Sequence, residues 1–233
     1  MYNWLDNRNC KNKTVNIDGK TICGSKNDSH NAYHVVSAWV SENQITLGEI
    51  TVDEKSNEIT AIPKLLDLID VSGSTVTIDA MGTQTKIAKK IIEKGANYCL
   101  ALKGNQTNLH EDVRLYFENL PAEQSVTTQE KNHGRIEKRE YFITSLTNVS
   151  KFADSVRKHW SIENQLHWHL DVTFGEDSAK TRKDNSPLNW NVMRKTALPI
   201  LRNADVGKKQ SIKRKMFMAA LDVGVLEKIL FQK

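Results

Sequence analysis

Two short segments rich in β-branched residues each lead directly into an aspartate. The first, VNIDG, contains Asp18, and the second, VTIDA, contains Asp79. A carboxylate buried at the end of a strand is costly unless it is paired or ligated. If the two strands lie side by side, both carboxylates meet at one edge of the sheet, where hard oxygen ligands suit Mg²⁺. Each aspartate taken alone is explained equally well as the cap of the turn that follows it.

A third carboxylate, Glu163, lies within a long predicted helix over residues 149–172. At about 100° per residue, Ile162, Leu166 and Leu170 form one apolar stripe that can face the sheet, and Glu163 borders that stripe. The adjoining polar face carries Trp160, Asn164, His167 and Asp171. Glu163 is therefore placed to complete a carboxylate cluster. From the helix pattern alone, a surface glutamate that pairs with a Lys or Arg one turn away is the simpler interpretation.

Three such carboxylates suit the hydrolysis and transfer of phosphodiesters. That chemistry needs an activated oxygen nucleophile and a stabilised leaving oxygen in line through phosphorus, and two metal ions about 3.5–4 Å apart supply both. In this hypothesis Asp18 bridges the ions, while Asp79 and Glu163 each hold mainly one. We expect the three carboxyl groups to converge within shared metal-binding reach, and a Glu163 that points elsewhere would argue against catalysis.

The order of the predicted elements favours an α/β fold. The order β-β-β-α-β-α-β-α is satisfied by a mixed β-sheet flanked by helices. Strands 33–40 and 45–52 form a hairpin, and Asn148 or Ser150 caps the long helix. The predicted strands are 14–18, with a turn at Gly19, then 33–40, 45–52, 75–79, 98–102 and 135–143. The predicted helices are 58–68, 85–94, 109–117, 149–172, 189–201 and 211–230.

The composition is that of an ordinary globular protein. The 233 residues are 39% hydrophobic and 26% charged, with a formal net charge of +5. This basic balance favours a polyanionic partner such as nucleic acid, although many ordinary proteins share it. No stretch approaches the length of a membrane span, so we expect a soluble, intracellular protein. Cys10, Cys23 and Cys99 lack the spacing of disulfide or zinc motifs, and we expect reduced thiols.

Several sequence blocks, in order along nearly the whole chain, resemble a known family. They are residues 17–25 (IDGKTICGS), 36–73, 77–84 (TIDAMGTQ), 100–106 (LALKGNQ), 133–141 (HGRIEKREY), 159–177 (HWSIENQLHWHLDVTFGED) and the helical tail. They resemble the H-repeat-associated DDE transposases of bacterial insertion sequences. The resemblance implies a ribonuclease-H-like fold, with catalytic and metal-binding acids on the first strand, the fourth strand and a later helix. On the matching blocks these acids are Asp18, Asp79 and Glu163.

The resemblance also implies a reaction and partners. The reaction is excision and reinsertion of a DNA element with two Mg²⁺ or Mn²⁺ ions as cofactors. The expected partner is double-stranded DNA, as insertion-sequence ends and as target, in the cytoplasm at the nucleoid; a homodimer is one expected assembly, and no membrane is involved. Asp171, Glu176 and Asp177 are nearby acids that rank below Glu163, because the helix is predicted to end close to them.

Candidate DNA contacts come from basic, amide and aromatic side chains near the predicted acids. Most have a structural alternative: a polar loop for 103–106, a charged sheet edge for the strand from Arg135, partial burial for the tryptophans and a solubilising face for Arg182. The candidates are Lys103, Asn105, Gln106, Arg135, Arg139, Trp160, His167 and Arg182.

Departures from the family pattern shape the predicted domains. Residues 1–13 are predicted to be the remnant of a longer helical N-terminal region, 14–185 the catalytic domain and 186–233 a helical C-terminal tail. The β insertion is shortened near 143–148, Cys23 replaces a basic residue of many relatives, and Leu170 stands where the wider class often has a lysine. Two alternative functions therefore stay open, a catalytically inactive DNA-binding remnant and a stand-alone metal-dependent nuclease of the same fold.

Overall fold

A computed structural model describes residues 9–27, 31–52, 58–121, 131–132, 135–136 and 140–231. Its strands are β1 (Thr14–Thr21), β2 (His34–Val40), β3 (Ile45–Val52), β4 (Thr75–Ile78), β5 (Asn97–Leu102), β6 (Lys131–Asn132), β7 (Arg135–Ile136) and β8 (Tyr141–Thr144). Its helices are α1 (Glu58–Leu68), α2 (Thr85–Glu93), α3 (Thr107–Asn119), α4 (Val149–His159), α5 (Ser186–Asn203), α6 (Ile212–Leu221) and α7 (Val223–Phe231). Two π-helical segments, π1 (Ile162–His167) and π2 (His169–Thr173), follow α4.

The main sheet has six strands in the order β3-β2-β1-β4-β5-β8. The strands β3, β2 and β1 are antiparallel, β1, β4 and β5 are parallel, and β8 returns antiparallel to β5. The mixed sheet flanked by helices is the predicted fold class, and the predicted hairpin of β2 and β3 is confirmed. The parallel register pairs Ile17 with Ile78, so the next residue of each strand is an aspartate.

The first strand differs from its prediction because it continues through Gly19. The predicted turn at Gly19 is wrong: β1 runs on to Thr21, where it still pairs with β2. A side chain at position 19 would collide with the carboxyl group of Glu58 and the imidazole of His34, which lie against the backbone there. Glycine is thus required here by the close approach of two buried side chains. Asp18 therefore lies within β1, whereas Asp79 directly follows the end of β4.

The predicted strand 135–143 is wrong as a single element. Its first part, β7, pairs with β6 in a separate two-stranded sheet, and only β8 joins the main sheet beside β5. The register of β5 pairs its last residue, Leu102, with Tyr141, so the main sheet offers no partner before that position. The intervening residues 137–139, which include Arg139, lie outside the described residues.

The predicted long helix 149–172 is interrupted. The predicted cap is confirmed, because the side-chain oxygen of Asn148 accepts a hydrogen bond from the backbone N–H of Lys151 at 2.9 Å. After α4 the hydrogen bonds shift to the π pattern, in which the N–H of Trp168 donates to the carbonyl of Glu163. This wider turn keeps side chains four residues apart on one face.

Residues on the apolar face of the π segments close a core on one side of the sheet. Ile162, Leu166 and Leu170 are buried with Trp39 of β2 and Leu198 of α5, as the apolar stripe predicts. On the opposite side, α1 and α2 cover a larger core that contains Ile17, Ile78 and Leu100 among other residues. Residues of odd number in β1 face that larger core, which leaves Asn16, Asp18 and Lys20 on the side of the π segments.

The C-terminal tail is helical, as predicted, and its first helix packs on the sheet. The buried ammonium group of Lys195 in α5 donates to Ser37 Oγ at 2.8 Å and to Glu49 Oε2 at 2.6 Å. The predicted helix 211–230 is broken at Asp222, whose carboxylate accepts from the N–H of Gly224 at 2.7 Å and caps α7. Within the described ranges, no helix has the length and apolar character needed to cross a membrane.

Replacing Leu166 by alanine tests the packing of π1 on the sheet. We expect the free energy of unfolding, measured with urea, to fall by about 2–5 kcal/mol, because Leu166 is fully buried and its removal leaves a cavity. The matched control, Val172→Ala, removes an exposed side chain and should change the value by less than about 0.5 kcal/mol. Equal losses in the two variants would contradict the described packing.

Candidate active site

A cavity of about 180 Å³ opens beside the sheet where β4 and β5 end. The three predicted acids line it, although they come from β1, from the loop after β4 and from π1. The remaining wall consists of acidic, basic, aromatic and apolar side chains. The full lining is Asp18, Asp79, Ala101, Lys103, Glu140, Phe142, His159, Trp160, Ile162 and Glu163.

Burial and neighbouring negative charge work against ionisation of Asp18. Burial is the largest influence and, opposed by a hydrogen bond from the Gly19 backbone, raises the pKa of Asp18 to about 7. The charges of Asp79, Glu58 and Glu163 contribute smaller parts of this rise. Glu58 lies at the start of α1 and is not part of the cavity wall; its Oε1 is 2.6 Å from Nε2 of the buried His34. The site therefore gathers more negative charge than its protein surroundings neutralise.

Asp79 uses one carboxyl oxygen within its own loop. Its Oδ1 accepts hydrogen bonds from the backbone N–H groups of Met81 at 3.0 Å and Gly82 at 3.2 Å. This is the turn cap that the sequence left open as an alternative for each aspartate. The cap holds the carboxyl group beside the cavity, and the other oxygen takes no part in this turn.

The expected convergence of the three carboxyl groups is not met. The described part of the chain contains no group of three or more His, Cys, Asp or Glu side chains arranged to hold one metal ion. One oxygen of Asp79 is engaged by the cap in its own loop. The three acids thus line one cavity without forming a preformed metal-binding site in the described residues.

His167 lies in the interior, and its predicted place on a polar helix face is wrong. The π pattern turns this side chain towards the sheet, where it is buried and its Nδ1 lies 3.6 Å from Asp18 Oδ2. Burial, followed by the charges of Lys195 and Lys20, lowers the pKa of His167 to about 3, so the imidazole is neutral. A side chain in this position is not available for the predicted contact with DNA.

The three candidate DNA contacts in the loop after β5 have different surroundings. Lys103 is exposed and lines the cavity. The side-chain amides of Asn105 and Gln106 donate to the backbone carbonyls of Ala80 and Thr83, each at 2.7 Å. These two bonds tie the loop after β5 to the loop that carries Asp79. Asn105 and Gln106 therefore have a structural use on which the position of Asp79 depends.

The other predicted DNA contacts are spread over the molecule. Trp160 is 46% exposed and lines the cavity. Arg182 is exposed, but its Nε donates to the carbonyl of Gly24 at 2.9 Å, and it does not line the cavity. Arg135 lies in β7, with a side chain outside the described part, and Arg139 is outside it altogether.

Two residues near the acids were not singled out from the sequence. Lys20 lies two residues after Asp18, and its Nζ is 2.7 Å from Asp171 Oδ1, 3.3 Å from Asp177 Oδ1 and 3.8 Å from Glu176 Oε2. These ion pairs bind the end of π2 to β1, which explains the three nearby acids without metal binding. His159 lines the cavity four residues before Glu163. The period-2 pattern of β1 could have indicated Lys20.

The architecture is shared with a solved transposase structure. The piggyBac transposase in a synaptic complex with hairpin DNA superposes with a TM-score of 0.59 at 13% sequence identity, over 95% of this chain. The chain spans about half of the piggyBac chain, 54%. The common fold is ribonuclease-H-like, as predicted.

Sequence comparisons define the family. The Transposase DDE domain profile matches residues 9–198, and the chain belongs to this family. It is 34% identical to the H repeat-associated putative transposase YhhI of Escherichia coli K12, over 99% of this chain and 75% of the relative. It is 36% identical to the putative transposase YncI of Escherichia coli O157:H7, over 93% and 68% respectively. The alignment with YhhI covers 286 residues, so it includes positions at which this 233-residue chain has no counterpart.

The family implies the use of divalent metal ions. The donor set at the cavity suits them chemically, because it consists of carboxylate oxygens, the ligands that hard cations prefer. A bound cation would also favour the ionised form of Asp18, which burial above all and then the neighbouring negative charges disfavour.

Asp18→Asn should stabilise the metal-free protein in a pH-dependent manner. Because the folded-state pKa of Asp18, about 7, exceeds its ordinary value of 3.8, the wild type loses stability as pH rises between these values. The variant lacks this loss. In urea titrations with a chelator, its advantage should grow from a small value at about pH 4 to as much as about 4 kcal/mol at about pH 8. Asp112→Asn, on exposed α3, is the control; an Asp18→Asn effect that does not depend on pH would contradict the described electrostatics.

Proposed function

We propose that the protein carries out DNA strand cleavage and strand transfer at the ends of a bacterial insertion sequence. The observation that carries the proposal is the meeting of Asp18, Asp79 and Glu163 at one cavity in a Transposase DDE domain. These residues are 61 or more positions apart in the chain and lie on three elements, yet they contribute their charge to one site. Such a concentration of carboxylates is costly for folding, and cation binding would offset this cost.

The three acids would hold two Mg²⁺ or Mn²⁺ ions. When bound, such ions supply activation of the oxygen nucleophile and stabilisation of the leaving oxygen. Asp18, at the centre of the electrostatic coupling, is proposed to contact both ions, with Asp79 and Glu163 each contacting one. The side chains of Asn105 and Gln106 would hold the loop of Asp79 in place while the ions are bound.

DNA is the proposed partner at the mouth of the cavity. The exposed Lys103 would contact a backbone phosphate, since lysine is a usual phosphate contact, and the half-exposed Trp160 would stack on a base at the cleaved end. The same proposal includes a homodimer as the assembly that pairs two element ends, at the nucleoid in the cytoplasm. Light scattering of the chain–DNA complex measures that stoichiometry.

An inactive DNA-binding remnant is the second candidate. Two observations favour it over an intact enzyme: the carboxyl groups do not converge on one ion, and the alignment with YhhI contains positions missing from this chain. A remnant of this kind would retain the basic charge needed to bind DNA while lacking the chemistry.

Asp79→Asn separates the candidates. We expect the wild-type chain, with Mg²⁺ or Mn²⁺, to nick and join duplexes that carry the ends of its element. The variant should lose this activity by at least about 10³-fold, because a metal ligand is removed, with unchanged affinity for the same DNA. Asp112→Asn is the matched control and should retain activity.

The other outcomes are equally informative. Binding without cleavage by the wild type, with either metal, would establish the remnant. Cleavage of unrelated DNA at the same rate, with no preference for element ends, would establish a nuclease and contradict transposition.

Mn²⁺ should stabilise the fold through the three acids. At about 100 times its dissociation constant, a ligand that binds only the folded state adds about 2.7 kcal/mol, which appears as a raised melting temperature. Asp18→Asn and Glu163→Gln should lose this gain. Asp177→Asn, which belongs to the Lys20 ion-pair cluster, should keep it. Loss of the gain in Asp177→Asn alone would place the metal in the wrong acidic cluster for the proposed mechanism.

A further inference from the structure

A chain of buried and part-buried hydrogen bonds runs beside the cavity, from β1 through β4 to the end of α4. Thr77 Oγ1 lies 2.9 Å from Asn16 Oδ1 and 3.0 Å from His159 Nδ1. Asn16 Nδ2 lies 2.6 Å from the carbonyl oxygen of Lys158. Asn16 and Thr77 are almost completely inaccessible to solvent, so each polar atom in this chain needs a partner within the protein.

The hydrogen-bond chemistry of these atoms has one consistent direction. The carbonyl oxygen of Lys158 can only accept, so the Asn16 atom beside it must be the NH₂ group. The other amide atom, Oδ1, then faces Thr77 and can also only accept, so the Thr77 hydroxyl must donate to it. A hydroxyl has a single proton. Thr77 must therefore accept from His159, and Nδ1 of His159 carries a hydrogen.

This direction determines the tautomer of His159. Burial is the main influence on the His159 pKa and lowers it, so the ring is neutral near physiological pH. A neutral imidazole with its hydrogen on Nδ1 has a lone pair on Nε2. No described residue makes a hydrogen bond with Nε2, and the ring lines the cavity together with the three acids. This chain of hydrogen bonds thus fixes Nε2 of His159 as an uncharged hydrogen-bond acceptor at the site.

A fixed acceptor selects among the groups that reach the site. Phosphate oxygens have no proton to donate, so Nε2 is unsuited to holding the DNA backbone. A water molecule or the 3′-hydroxyl of a DNA strand can donate, and these are the oxygen nucleophiles of strand cleavage and strand transfer. His159 lies one helical turn before Glu163, close to the proposed site of reaction.

We propose that His159 is a further catalytic residue, whose Nε2 accepts the hydrogen bond of the attacking hydroxyl and orients its oxygen towards phosphorus. Thr77 and Asn16 are positioning residues that fix the tautomer. This role rests on the proposed function, because it needs a hydroxyl nucleophile at the site. Water serves in cleavage and a 3′-hydroxyl in joining, so the two assays distinguish the two sources.

The tautomer is measured without any activity assay. In protein with ¹⁵N-labelled histidine, long-range ¹H–¹⁵N correlation spectra separate the two neutral tautomers, and the His159 signals are identified by their absence in His159→Phe. We expect the hydrogen on Nδ1 in the wild type and in Thr77→Ser, and loss of this preference in Thr77→Val. The hydrogen on Nε2 in the wild type would overturn the proposal.

Kinetics test the catalytic role. His159→Phe keeps the ring shape without the acceptor and should slow both cleavage and joining by about 10²-fold, with unchanged DNA affinity. Thr77→Val should slow both reactions by a smaller factor, and Thr77→Ser should restore them. The double variant His159→Phe/Thr77→Val should be no slower than His159→Phe, because the two residues act through one group. Thr75→Val, on the same strand outside the hydrogen-bonded chain, is the control.

The outcomes separate this proposal from the function on which it rests. An active wild type with full activity in His159→Phe overturns the role of His159 and leaves the transposase function standing. A slowing of cleavage alone, or of joining alone, limits the contact to one nucleophile and overturns the shared role. A wild type with no metal-dependent cleavage overturns the proposed function and the role together, whatever tautomer the spectra show.

Discussion

The parallel pairing of β1 with β4 is the constraint on which the site depends. Its register pairs Ile17 with Ile78, and the residue that follows each of these isoleucines in the sequence is an aspartate. Two carboxylates held this close in partly buried surroundings repel one another, which contributes to the raised pKa of Asp18. The same backbone geometry that makes the sheet stable therefore creates an unfavourable concentration of charge. A bound cation would relieve this cost, which is why metal binding is proposed for this site.

A second layer of polar contacts connects this constraint to the third acid. Asn16, adjacent to the core residues of β1, donates to Ser161 Oγ at 2.9 Å as well as to the carbonyl of Lys158. These contacts fix the junction of α4 and π1 against the strand that carries Asp18. The π segment then turns Ile162 and Leu166 into the core and leaves Glu163 at the cavity. Lys20 secures the far end through Asp171. The position of Glu163 is thus set from both sides.

Sequence patterns predicted the parts of this arrangement that depend on local signals. The two Ile-Asp segments predicted two strands, and the β-branched runs predicted the β2–β3 hairpin, because side-chain periodicity is a local property. The apolar spacing of Ile162, Leu166 and Leu170 predicted which face is buried. Glu163 itself was not distinguished from a surface glutamate by its helix, and its assignment depended on the resemblance of the WSIEN block to transposases.

The remaining features depend on contacts between distant residues. The shift to π hydrogen bonding, which accompanies the burial of His167, has no signature in the sequence of the helix itself. The bond between Thr77 and His159 joins residues 82 positions apart. The period-2 alternation of side chains in residues 135–143 predicted a strand. It carries no information on pairing partners, so it did not predict that β7 and β8 join different sheets. The predicted turn at Gly19 was wrong because the local sequence does not indicate that Glu58 and His34 pack against the backbone there.

Asp18 and Asp79 are the proposed metal ligands of one site. Crystals of the protein soaked in Mn²⁺, with anomalous diffraction recorded at the manganese edge, test this claim most directly. We expect an anomalous peak in the cavity with carboxylate oxygens of both aspartates at about 2.1 Å, and Glu163 drawn towards it. A peak among Asp171, Glu176 and Asp177, or none at the cavity at saturating Mn²⁺, would contradict the claim.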